Sequence, residues 1–486
     1  MIGPLLIAVL AIQDPLAGLD REVERVMAVT RTPGTAIGVL LGDRVLVSRG
    51  YGVRTVGRPE PVTEETVFAI GSATKSFTAA AVAMLVDEGA LAWDDPARDR
   101  LAGLRLYDAY ASAHLTIRDL LAHRSGLPRC DFWYGTRLSR AEVIRRIRFC
   151  VPVRELRTGF GYQNLMYLVA GEIVAARSGR TWDAFLRERV FEPLGMTRTT
   201  TTLVEDPDAN LATPHAVRDG VAVAVPWRRL DNVAPAGSIN STLEDMLGWA
   251  RFQLSGGVAG GRRLLSDSVM REMRTAQIPI ENEGFPQWAD SPLLSYGLGW
   301  FLWSHLGRLV VEHAGGIDGM SADVALVPDL GLGIVVLANT TESNLPPAVV
   351  NWVLDAMMGT RPRDWIGRLE AAAPTVPDSV PSSRDEPSGM VVDRALAGTY
   401  ADSLFGQATV RVSGDRLEIR FADSGDRLRL DPLGGDRFRG YWSSYRIFGP
   451  TTAVAFHRGP EGRAAALQVD GMATFHRAGS PSSSPR

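Results

Sequence analysis

Lysine is all but absent from this chain of 486 residues: Lys and Arg together number 52, and Lys75 is the single lysine among them. Cysteine is nearly as scarce. Cys130 and Cys150 are the two present, too few for a disulfide framework or a thiolate metal cage. They leave open either one disulfide, if the protein is exported, or two free thiols. Beyond the first residues, no run approaches the roughly 18 apolar residues of a membrane-spanning helix. An excess of one charge is missing too. The net charge is −3 and the arginines are scattered among acidic residues, which argues against a nucleic-acid partner or an anionic surface. There is no G-x-S-x-G elbow, and no H-E-x-x-H among the 7 histidines.

What is present is an ordinary globular balance, 45% hydrophobic and 22% charged, at a length that implies two or more units. The opening "MIGPLLIAVLAIQD" reads as a signal peptide over residues 1–13, with Val9-Leu10-Ala11 as a small-residue cleavage site. The first basic residue is Arg21, so the usual basic start is lacking. This reading places the mature protein outside the cytoplasm, secreted or periplasmic, with no stable membrane span; the alternative is a buried first helix in a cytoplasmic protein.

Residues 35–53, "TAIGVLLGDRVLVSRGYGV", are two β-rich runs around a Gly-Asp turn and predict a hairpin. After "GSATK", the run "SFTAAAVAMLVDEGAL" has helical spacing and ends at Gly89 as a C-cap. The middle of the chain, about 90–290, mixes helical patterns with Pro and Gly turns. "RLVVEHAGG", "SADVALVPD" and "GLGIVVLANT" then return to strands, followed by the helical "PPAVVNWVLDAMMG". Sheet segments at both ends with helices between predict an α+β domain over 14–365, its sheet closed by distant parts of the chain. Residues 366–392 are assigned to a linker, rich in Pro, Ser and Ala from 371 onward. Short alternating strands over 393–478, with Ser-Gly-Asp and Gly-Gly-Asp turns, predict a separate small all-β domain, and 479–486 a disordered tail.

Of the two long cationic side chains, Lys alone can release its proton at accessible pH and act as a base. Ser72 and Lys75 lie three apart at a helix start, on one face and within side-chain reach. A neutral lysine there can take the serine proton, and the positive end of the helix favours a developing oxyanion. Two plainer readings stand beside this one. Ser72 also fits a helix cap, and an Arg-biased chain must leave its last lysine somewhere.

Three motifs in order decide between them. Ser72-Ala73-Thr74-Lys75 matches an S-x-x-K box, Tyr162-Gln163-Asn164 a Y-x-N box, and His313-Ala314-Gly315 the box that is K-T-G or H-x-G. Together they resemble the serine β-lactamase and penicillin-binding-protein superfamily, in its branch of class C β-lactamases, D-peptidases and related esterases. The segments "LTIRDLLAHRSGLP", "FEPLGMTRT" and "NVAPAGSINSTLEDMLGWARF" are similar to the family's connecting text, and the resemblance covers roughly residues 20–360. It implies a β-lactamase/transpeptidase-like fold, an antiparallel sheet flanked by helices with a helical subdomain, and a serine hydrolase acting through an acyl-enzyme with no metal or organic cofactor. Ser72 would be the nucleophile, Lys75 its base and Tyr162 the proton shuttle. Asn164, His313 and Gly315 would bind substrate, and the N–H groups of Ser72 and Gly316 would form the oxyanion hole. His123, in similar text, is assigned to structure.

The third box departs from K-T-G. A lysine there is a permanent cation for a substrate carboxylate, whereas histidine is only partly charged near neutral pH. The implied substrate is therefore a small ester or a short peptide or amide, including peptides with D-residues, and β-lactam turnover is expected to be weak. The rival is a slowly acylating or non-catalytic protein that holds a cell-wall-type ligand. A third reading gives the C-terminal β domain a tethering or cleft-covering role. Oligomeric state is not set by the sequence.

Overall fold

Apolar runs from both ends of the first 372 residues meet in one sheet. The computed structural model describes residues 14–129, 134–204, 209–281, 288, 290–341, 343–372, 393–443 and 451–478. The signal-peptide reading of 1–13, most of the linker, the tail and Cys130 lie outside the described residues. The strands of the sheet are β1 (Gly34–Leu41), β2 (Arg44–Gly52), β3 (Ile278–Pro279), β4 (Leu294–Tyr296), β5 (Phe301–His305), β6 (Arg308–Ile317), β7 (Met320–Val327) and β8 (Leu332–Ala338). Their order is β2-β1-β8-β7-β6-β5-β4-β3, with every neighbouring pair antiparallel. β1 and β2 make the expected hairpin, and β1 pairs along its length with β8, Thr35 opposite Ala338 and Leu41 opposite Leu332. The sheet is thus closed by segments some 300 residues apart in sequence.

Both faces of the sheet are covered. Helices α1 (Leu19–Thr30), α6 (Leu345–Met357) and α7 (Trp365–Ala372) pack on one side, against Ile334, Val336 and Ala338 of β8. On the other side, α2 (Thr74–Asp87) and α5 (Leu243–Leu254) join the core that takes Val335 and Leu337, with α4 (Asn164–Ser178) beyond them. A sheet buried on both faces has no polar side to present, which is why β7 and β8 are buried at every position rather than at alternate ones. The helix α2 is itself buried from Thr74 through Leu85. Its Ala-rich sequence lets neighbours approach from all sides, and Gly89, at φ 71°, turns the chain away just past its end.

The boundary of this domain lies beyond the expected residue 365. Trp365, Ile366 and Leu369 are buried on α7, which runs to Ala372, so the segment assigned to the linker from 366 begins as a packed helix. The second domain is a closed, all-antiparallel barrel of eight strands, its first strand, Gly398–Asp402, pairing with its last, Ala473–Arg477. Tyr400, Leu417, Ile419, Leu428, Leu430 and Phe475 fill the interior. Closure leaves no sheet edge exposed, as a small β domain requires. The barrel meets the first domain at α3 (Arg140–Arg146), where Arg146 Nη1 donates to Asp423 Oδ2 at 2.6 Å, and at Arg137, whose N–H donates to Asp423 O at 3.1 Å. Among the described residues no helix is long and apolar enough to cross a membrane.

Candidate active site

Ser72 sits in a single 3-10 turn, Gly71–Ala73, that runs directly into α2. It is not the cap of that helix. The capping positions are Ile70 and Ala73, neither with a side-chain cap, and Ser72 Oγ instead faces Lys75 Nζ at 3.1 Å. Ser72 is partly exposed, whereas Lys75, one helical turn along, is fully buried. Lys75 Nζ also donates to Ala236 O at 2.6 Å. The segment that offers this carbonyl is stitched along α2: Thr78 Oγ1 donates to Pro235 O at 2.7 Å, and the Ile239 N–H to Thr74 Oγ1 at 3.1 Å. The lysine is thereby held at both ends of its reach, by a fixed carbonyl and by the serine.

The Y-x-N segment closes over this pair. Lys75 Nζ stands 4.9 Å from the centre of the Tyr162 ring, and Asn164 is the buried first residue of α4. Between them Gln163 is the pin: its side-chain oxygen accepts from Leu165 N at 2.8 Å, its amide donates to Pro128 O, and its backbone N–H donates to His123 Nδ1 at 3.0 Å. His123 is wholly buried at a left-handed φ of 56°, its ring 4.3 Å from that of Tyr162. Burial first, and the Lys75 charge second, hold its pKa well below the usual histidine value. A neutral ring that accepts at Nδ1 carries its proton on Nε2, which has no hydrogen-bond partner among the described residues. His123 thus acts as the shelf on which the Tyr162 segment rests, which agrees with its structural assignment.

The third box lies against the serine turn. A side-chain carbon on Gly315 would stand 1.9 Å from Ile70 O, and one on Gly71 2.9 Å from Gly316 N. These contacts require glycine on both sides of the junction, and they bring the Gly316 N–H beside the turn that carries Ser72. Gly71 is further fixed by its left-handed φ of 51°.

His313 differs from the expectation of a partly charged residue facing substrate. It is 1% exposed, and burial, reinforced by the Lys75 charge, pushes its pKa down to about 3. Its Nε2 lies 2.9 Å from Tyr296 Oη and its Nδ1 2.7 Å from Ala314 O. The structure therefore brings Ser72, Lys75, Tyr162, Gly315 and Gly316 to one place, with Asn164 buried at the start of α4, and it buries the His313 ring on the Gly315 side of β6 with both nitrogens engaged. Cys150 is buried away from this group, in the core around α3. No group of three or more His, Cys, Asp or Glu among the described residues is placed to hold a metal ion.

The family model for Beta-lactamase matches residues 19–356, well over half of the chain. The chain belongs to the β-lactamase family. Among curated relatives, an unguisins hydrolase of Aspergillus violaceofuscus is 29% identical over 359 residues, covering 68% of this chain and 62% of that protein's own length. Among solved structures, an octameric penicillin-binding protein homologue from Pyrococcus abyssi superposes with a TM-score of 0.65 at 23% identity, covering 95% of this chain and 99% of its own, so the likeness in fold extends over both domains. A D-amino acid amidase from Ochrobactrum anthropi, complexed with D-phenylalanine, gives a TM-score of 0.59 at 26% identity, covering 70% of this chain and 99% of its own. The coarse assignment is a β-lactamase-family serine hydrolase.

Sequence reasoning left out several residues that touch this β-lactamase-family site, among them Ala236, Tyr296 and Tyr167, whose ring centre stands 5.4 Å from Lys75 Nζ. Ala236 lies within the connecting segment "NVAPAGSINSTLEDMLGWARF", but a backbone carbonyl carries no side-chain signal. Tyr296 sits in "LSYGLGW" with nothing in its spacing to mark it.

Proposed function

We propose that the protein is a serine hydrolase that forms an acyl-enzyme on Ser72 and acts on small esters or short peptides and amides, D-residues included. The observation that carries this reading is the 3.1 Å contact between Ser72 Oγ and the buried Lys75 Nζ. Lys75 acts as the base once it has released its own proton: the serine O–H then donates to Nζ, and attack on a carbonyl transfers that proton to nitrogen as the Oγ–C bond forms. Ala236 O holds the lysine through a second hydrogen, which leaves the nitrogen lone pair for the serine proton. The oxyanion falls to the N–H groups of Ser72 and Gly316 at the glycine junction, and Tyr162, beside the same amine, passes the proton to the leaving group. Asn164 orients the substrate amide.

Substrate class follows from what supports a charge at the third box. A neutral, buried His313 supplies no cation for a substrate carboxylate, so strong β-lactam turnover is not expected. A structural neighbour named a D-amino acid amidase supports amide cleavage, and a curated relative named an unguisins hydrolase supports hydrolysis. The test is turnover of p-nitrophenyl esters, D-amino acid amides and nitrocefin by wild type and Ser72→Ala. Ester or amide turnover that vanishes in the variant, with little on nitrocefin, is the expected result. Folded wild type inert toward all three would favour the binding-protein reading.

A further inference from the structure

In the third box, β6 outruns its neighbour. β5 pairs with β6 only as far as Phe301 opposite Glu312, while β7 accompanies it to Ile317. From His313 to Ile317, the strand that borders the serine turn has a β neighbour on one side only, among the described residues. Something else must fix its backbone there, because the Gly316 N–H has to hold its direction.

We propose that Tyr296 and His313 form a positioning pair that fixes the Ala314–Gly316 backbone against the Ser72 turn, and that His313 does this without touching substrate. The proposal rests on the reading of Ser72 and Gly316 as the oxyanion donors. The hydrogens leave one arrangement. Ala314 O can only accept, so His313 Nδ1 carries the proton and donates to it at 2.7 Å. Nε2 is then an acceptor, and the Tyr296 O–H donates to it at 2.9 Å. Tyr167, the next phenol, spends its own hydrogen on Leu121 O at 2.6 Å and stands 3.4 Å from Tyr296 Oη.

Water does not compete with this chain. Tyr296 is 0% and His313 1% exposed, and the rings of Phe301 and His123 wall the pair at 5.3 Å from His313 and 4.8 Å from Tyr296. A buried ring locked at both nitrogens restrains the peptide whose carbonyl it holds, and that peptide leads directly into Gly315 and Gly316. The neutral state set by burial keeps the arrangement constant over the working range, since a second proton would destroy the acceptor at Nε2.

The experiment compares wild type, Tyr296→Phe, His313→Gln, the double variant and Ser72→Ala. It uses two p-nitrophenyl esters, one neutral and one bearing a free carboxylate, together with fluorophosphonate labelling rates, from pH 5 to 8.5. Positioning predicts that each single variant lowers kcat and the labelling rate about tenfold, less than the roughly 100- to 1,000-fold of deleting an oxyanion donor outright. KM should stay within about twofold for both esters, the pH profiles should keep their shape, and the double variant should be no worse than either single, because both act through one hydrogen bond. Tyr296→Phe removes a single hydroxyl and carries the test alone should His313→Gln fail to fold. A raised KM for His313→Gln, chiefly on the carboxylate ester, with Tyr296→Phe silent, would overturn the pair and return His313 to substrate binding. Wild type that takes no fluorophosphonate would overturn the hydrolase reading itself, a failure distinct from that of the pair.

Discussion

Replacing Gly315 by alanine tests how closely the third box must approach the nucleophile. The added carbon would lie 1.9 Å from Ile70 O, 2.9 Å from Ile70 C and 3.0 Å from Ala73 N. All three are backbone atoms flanking Ser72, so no rotamer change relieves the contact. Restoring an ordinary separation requires β6 and the serine turn to part by about 1.5 Å, and a misplacement of about 1 Å in a catalytic constellation already costs on the order of 100-fold in rate. The same overpacking costs about 1–3 kcal/mol of stability. The assay is kcat/KM on a p-nitrophenyl ester, read beside a thermal melt so that lost activity is not confused with lost fold. Gly248→Ala is the control. It lies in α5, where the nearest atom to an added carbon is Leu194 O at 3.7 Å, so it should leave kcat/KM unchanged and stabilise the helix by about 0.5–1 kcal/mol. Wild-type kcat/KM in folded Gly315→Ala would refute the claim that this junction sets the oxyanion geometry.

Two further predictions concern the scaffold. Burial pushes the Glu312 carboxyl up to about 7 and that of Asp323, beside it on β7, well above its usual value, while the indole N–H groups of Trp288 and Trp303 donate to Glu312 at 3.1 and 2.5 Å. A carboxyl raised in the folded state stabilises below its unfolded pKa and loses that contribution as pH rises through the folded value, here a few kcal/mol between about pH 4.5 and 7. The melting temperature should therefore fall from pH 5 to 8, and Glu312→Gln should flatten the slope; an unchanged slope would contradict the assignment. Truncation after Ala372 should leave fluorophosphonate labelling of Ser72 intact, because each proposed acylating group lies before that residue. A folded truncation that no longer labels would show that the barrel contributes to the site.

The nucleophile pair was legible because helical spacing is local: a Ser and a Lys three apart at a helix start are forced together whatever else the fold does. The hairpin around Gly42-Asp43 and the strands of 393–478 were legible for the same reason, through turn residues and alternation. The partners of Lys75 were not, since Ala236 reaches it through a carbonyl brought in by tertiary packing from far along the chain. The charge state of His313 was not legible: the ordinary histidine pKa implies partial charge, and burial removes it. Its burial under Tyr296 and Phe301 is a property of how β4, β5 and β6 pair, which the tripeptide His313-Ala314-Gly315 does not encode. The domain end is obscured in the sequence because the Ala-rich run after Leu369 resembles linker, although Trp365, Ile366 and Leu369 carry a buried helical face.

The most direct test of the account is the rate at which Ser72 is acylated in wild type, Lys75→Arg and Lys75→Met, followed by intact mass after mixing with p-nitrophenyl butyrate or a fluorophosphonate and by peptide mapping of the adduct. One adduct per wild-type chain, on Ser72, is expected, and none on the same timescale in either folded variant, because neither replacement side chain can accept the serine proton. Acylation of Lys75→Arg at the wild-type rate, or an adduct mapping to another residue, would contradict it.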